Sequence, residues 1–168
     1  MSYTDRFSLV EDYLVHLDPV MAGIADPFIQ SRYLGFILIS AVTVYELAIK
    51  DIFYAFADKK HSVLGQFARA KFDHLNGRIK IDALKKDHIG MFGEKYVKKF
   101  DKRLSKFEDI SLLAGNGSIK SSYGNVITWR HKFVHEGIAP ETTNYDEIKR
   151  AYKSGKEVIH CLNEAMVR

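Results

Sequence analysis

The sequence predicts an all-α protein, a helical bundle built around one long buried helix. Three observations carry that prediction. Apolar residues recur at three- and four-residue spacing along nearly the whole chain. Only 3 prolines occur in 168 residues, too few turn signals for a sheet of many short strands. The stretch from Tyr33 to Ile49 is apolar on almost every side, as a helix at the centre of a bundle must be.

The elements follow in order. Phe7, Val10, Leu14 and Leu17 space a first helix, expected to stop at Asp18-Pro19 because proline cannot continue the backbone hydrogen bonds. Asp26-Pro27 reads as an N-cap with proline at the first helical position, opening a long helix to about Asp58. A third helix is expected from about Ser62 to Asn76, ended by Asn76-Gly77, and a short fourth around Ile81 to His88, ended at Gly90. The fifth, from about Glu94 to Leu113, is amphipathic, with Val97, Phe100, Leu104 and Phe107 on one side. Gly115-Asn116-Gly117-Ser118 breaks it. A sixth helix, roughly Ser121 to His135, closes at Gly137 with Pro140 beyond. Thr143 or Asn144 caps the last helix, in which Tyr145, Ile148, Tyr152, Gly155, Ile159, Leu162 and Met166 alternate threes and fours. That heptad-like seam suits packing against the bundle or against a second subunit. With no internal repeat, low-complexity tract or linker, residues 1–168 are expected to form a single domain.

Composition narrows the setting. A formal net charge of +4 is compatible with an anionic partner without requiring one. The lone cysteine, Cys161, excludes an intrachain disulfide and any metal cluster built from thiols. A cytoplasmic location is the expectation, since the first residues lack the pattern of a signal peptide. Tyr33 to Ile49 is interrupted by Ser40, Thr43 and Glu46 and is short for a membrane span, so no membrane association is expected.

Chemistry concentrates in Arg130-His131-Lys132-Phe133-Val134-His135-Glu136-Gly137. A guanidinium is a permanently charged fork that grips phosphate oxygens, and an imidazole carries or accepts a proton near neutral pH. Five residues along a helix turn through about 140° at about 100° per residue, so Arg130 and His135 flank a groove rather than share a face. His135 falls in the last turn, where the helix dipole favours its protonated form. Spacing alone favours the plainer reading, cations capping a helix end. His131 and His135 also have the i, i+4 spacing of metal ligands, but Lys132 stands where a zinc protease has glutamate and no third ligand is evident, so no metal is expected.

Other residues bear on the same chemistry. Glu46 is the lone charge between Arg32 and Lys50; a buried carboxylate needs a partner, an Arg or Lys, unless it reaches solvent. Lys95, Lys98, Lys99, Lys102, Arg103 and Lys106 form a stripe opposite the apolar side of the fifth helix, suited to a phosphate backbone or to solvent. Trp129 and Tyr123 offer either base stacking or core packing.

An Arg followed by His across four residues near a helix end, after a long helix bearing a lone acid, resembles the signature of the HEPN superfamily. Val134 before the histidine and Gly137 soon after bring it closest to the RiboL-PSP-like branch; His131 stands where Asn or Asp is usual, and Glu136 separates His135 from the glycine. The resemblance implies a homodimer of helical bundles that cleaves RNA by 2′-hydroxyl attack, without metal or other cofactor. Arg130 and His135 would be catalytic, His131 would hold the substrate, and Glu46 would pair with Arg130 and orient the motif. Such a ribonuclease would serve as a toxin or anti-phage effector, with an antitoxin or regulatory protein as a further partner. Two alternatives stay open: a non-catalytic helical module of this type that binds nucleotide, RNA or protein, and a plain interaction protein dimerising through the Tyr145–Met166 seam.

Overall fold

The computed structural model describes residues 2–75, 77–137, 139 and 143–167. After a 3₁₀ turn at Tyr3–Phe7, helices α1 (Ser8–Gly23), α2 (Pro27–Lys60) and α3 (Ser62–Phe72) follow. α4 (Ile81–Ala83) runs into a π turn at Leu84–His88 and a 3₁₀ turn at Ile89–Phe92. α5 (Glu94–Leu113), α6 (Ile119–Glu136) and α7 (Tyr145–Val167) complete the fold. No strand is present among the described residues.

α2 is the axle. Leu38, Ala41, Val42, Tyr45, Ala48, Ile49, Ile52 and Phe53 are buried along its length, and α1, α3, α6 and α7 pack around it. Its start is the expected one: the Asp26 carboxylate accepts the Phe28 N–H at 2.8 Å, with Pro27 behind it. At the centre, Tyr45 is stacked between Tyr123 of α6 and Tyr152 of α7, with ring centroids 5.3 and 5.6 Å away. Its hydroxyl donates to the Tyr152 carbonyl at 2.6 Å, which satisfies a polar atom buried at the centre of the stack.

Several boundaries differ from the sequence reading. α1 continues through Pro19 to Gly23. Proline there forfeits one hydrogen bond near a helix end, while continuation buries Met21. α3 stops at Phe72, short of Asn76, because the chain must turn to bury Leu75 and Ile79; Lys50 Nζ donates to the Asp73 carbonyl at 2.7 Å. Asn76 and Pro140 lie outside the described residues. The cap of α7 is Asn144, whose side-chain oxygen accepts the Glu147 N–H, while Thr143 is buried. The α7 seam is spent inside the bundle: Ile148, Tyr152, Gly155, Ile159, Leu162 and Met166 are all buried, so this stripe is not a free face for a second subunit.

The N-terminal turn is tied to α7 by Tyr3 Oη and His160 Nδ1, 2.8 Å apart. Burial is the leading cause that lowers the His160 imidazole below its ordinary 6.5. The folded protein therefore favours neutral His160, and the unfolded chain takes up the proton first as pH falls. This contribution to stability is complete above the unfolded value and is lost as pH falls through it towards the folded one. Urea midpoints measured from about pH 8 to about pH 5 should fall on the acid side, and less steeply in His160→Gln.

Candidate functional site

α6 is set in place at both ends. Ser118 caps it through the Ser121 N–H, and Glu108 of α5 holds Ser118 Oγ and the Lys120 N–H. Tyr123, Val126 and Ile127 face the core. Gly137 ends the helix in the left-handed region at φ 69°, with its N–H on the Phe133 carbonyl. Near that end the tip of the Phe133 ring lies against Gly35 of α2, where a Cβ would clash with its Cζ. A side-chain-free position on α2 therefore lets the last turns of α6 sit close to the central helix.

Those turns open onto a cleft of about 330 Å³, lined by Val42, Gly77, Arg78, Lys80, Ile127, Arg130, His131 and His135. Arg130 and His135 do line one cavity, although they lie about 140° apart around α6. His131 joins them, its ring centroid 4.3 Å from that of His135. Both imidazoles are exposed, while Arg130 is half-buried and its Nε lacks a hydrogen-bond partner among the described residues. No carboxylate is among the lining residues that are described. The arrangement is a cationic cleft with a fork donor and two proton carriers, suited to an anion that undergoes proton transfer.

Glu46 does not pair with Arg130. Its carboxylate accepts the Gly77 N–H at 2.7 Å, an interaction that a backbone amide, drawn in when α3 stops early, can supply without burying a second charge. The next carbonyls are bound too: Arg78 O by His88 Nε2 at 2.9 Å and Ile79 O by the Tyr123 hydroxyl at 2.7 Å. A carbonyl only accepts, so His88 carries a proton on Nε2. Burial, with the Glu46 charge as a second cause, raises the Tyr123 phenol well above its usual value, which keeps it a donor.

The remaining sequence candidates lie elsewhere. Lys95, Lys98, Lys99, Lys102 and Lys106 are exposed on α5. Arg103 is bound to Glu164 at 2.7 Å and is therefore not a free cation of the stripe. Lys99, Lys102, Arg103 and Lys106 line a separate concavity that shares no residue with the motif cleft. Tyr123 is fully buried, and Trp129 is half-buried against the core, so Tyr123 is unavailable for base stacking. No third His, Cys, Asp or Glu joins His131 and His135 in a metal-binding group among the described residues. Arg78 and Lys80 were missed. Their signal was local: two cations either side of an isoleucine, the alternation of an extended segment whose middle residue turns inward.

Comparison with protein families places the chain as a whole. The RiboL-PSP-HEPN family model matches residues 2–168. The chain belongs to the RiboL-PSP-HEPN family. HEPN domains are generally ribonucleases, and they often dimerise. No curated protein and no solved structure matches the chain. No helix of this HEPN protein, among the described residues, is long and apolar enough to cross a membrane.

Proposed function

We propose that this chain is a metal-independent endoribonuclease, a single HEPN unit that acts in the cytoplasm as a homodimer. The observation that carries the reading is the convergence of Arg130, His131 and His135 in one cationic cleft at the end of α6. In the reaction a ribose 2′-hydroxyl attacks the adjacent phosphorus and the bond to the 5′-oxygen breaks, leaving a cyclic phosphate and a 5′-hydroxyl. Arg130 stabilises the charge gathering on the phosphate oxygens. His135 donates a proton to the departing oxygen, and His135 of a second copy takes the 2′-hydroxyl proton. His131 orients the substrate beside it.

Exposed Ile39 of α2 and Val134 of α6 are apolar residues within a turn of the cleft residues Val42 and His135 and favour a second copy there. The free lysines of the α5 stripe add a positive field that attracts RNA from a distance. A toxin or anti-phage effector held by an antitoxin or regulator is the cellular role that such an activity favours.

The test is RNA cleavage by the purified protein in EDTA, with the ends identified by mass spectrometry. Cleavage should persist and leave cyclic phosphates, and toxicity on expression should be relieved by His135→Ala. Cleavage that requires a divalent metal, or that leaves no cyclic phosphate, overturns the reading. Salt-dependent RNA affinity without cleavage would favour a non-catalytic module instead.

A further inference from the structure

We infer that Arg78 and Lys80 form a phosphate-binding subsite that grips the RNA backbone beside the scissile phosphate, and that Glu46 positions them by holding their loop. The inference rests on the ribonuclease reading of the cleft. Residues 77–79 belong to no helix, yet each has a backbone polar group held by a side chain from a different element. Glu46 of α2 takes the Gly77 N–H, His88 of the π turn binds the Arg78 carbonyl, and Tyr123 of α6 binds the Ile79 carbonyl. Ile79, fully buried, fixes the segment from inside.

Alternation along the extended segment then turns Arg78 and Lys80 away from the core, and both line the cleft with Arg130 and His135. Both are exposed and neither enters an ion pair among the described residues. A loop pinned this firmly with two unpaired cations at its surface is preorganised for an anion. The anion that follows from the reading is a phosphate of the same strand, since a nucleic acid presents further phosphates on either side of the one being cut. Glu46 thereby acts on substrate through the loop, and it is a positioning residue rather than a catalytic one.

The test uses a short fluorescein-labelled single-stranded RNA of mixed sequence. Affinity is measured by anisotropy on protein carrying His135→Ala, so that the probe stays intact, and kinetics on protein with His135 in place. The pair Arg78→Ala and Lys80→Ala should reduce the slope of log affinity against log salt by about 1.4, because each contact to a single-strand phosphate contributes about 0.7. The same pair should raise KM and leave kcat unchanged. Glu46→Ala should raise KM in the same way but add nothing once Arg78 and Lys80 are alanine. Glu46→Gln should resemble the parent, because its amide oxygen still accepts the Gly77 N–H. A parent that cleaves RNA while the double variant keeps its salt slope and KM overturns the subsite and leaves the ribonuclease reading intact. Loss of kcat rather than KM also overturns it. A parent that neither binds nor cuts the probe overturns the ribonuclease reading, and the subsite with it.

Discussion

Replacing His135 with alanine is expected to slow RNA cleavage by about 10²- to 10⁴-fold, the range associated with loss of a general acid or base, with the thermal midpoint unchanged. The two halves of that result have separate causes. His135 is exposed in the last turn of α6, its ring meets that of His131, and it supports none of the buried core. Removing it therefore subtracts chemistry and almost no packing. Arg130 differs, because its half-buried stem contributes contact area and its Nε is already sealed from solvent. Arg130→Lys is the sharper probe: it keeps the charge and most of the stem but loses the planar fork, so it should retain the fold and remain impaired. Single-turnover rates at saturating RNA, with circular dichroism melts alongside, read both quantities. A His135→Ala protein that cuts at the parental rate removes His135 from the mechanism.

The second large effect concerns one substitution at two glycines. Gly155→Ala should destabilise the protein by about 3 kcal/mol, whereas Gly124→Ala should stabilise it by up to about 1 kcal/mol through helix propensity alone. A Cβ at Gly155 would lie 2.5 Å from the Tyr45 hydroxyl and 3.1 Å from the Tyr123 Cα. It would press on the α6 backbone and on a hydroxyl locked to the Tyr152 carbonyl. Overpacking costs about 1–3 kcal/mol and an unpaired buried hydroxyl about 1–3 more; propensity returns about 1 kcal/mol, so packing decides the sign. At Gly124 nothing among the described residues lies within 4 Å of the added carbon. For a domain of this size the Gly155 effect corresponds to roughly 6–12 °C in thermal midpoint. Paired melts of the two variants test it, and midpoints that move in the same direction count against the account.

What the sequence made legible was whatever repeats along a helix. α2, α5 and α6 carry their faces and caps in local spacing, and the Asp26-Pro27 start and the Gly137 stop are chemical signals within a few residues. The motif was legible for the same reason, being a short run on one helix. Partners that come from distant turns were not. Glu46 found the amide of Gly77 rather than Arg130 because α3 ends early, and that ending depends on where Leu75 and Ile79 can bury. Arg78 and Lys80 enter the cleft through tertiary bonds from α2, α6 and the π turn, none of which has a periodic signature. The α7 seam was legible as a stripe, but spacing does not say which surface covers it.

The hydroxyl bond from Tyr45 to the Tyr152 carbonyl spans 107 positions, and the link from Tyr3 to His160 spans 157. A chain leaving the ribosome exposes its earlier helices first, but here α2 cannot close its tyrosine stack until α7 has emerged. α6 bears the motif and packs most extensively on α7. The cleft therefore becomes rigid only once α7 has emerged, although Arg130 and His135 themselves are translated before it.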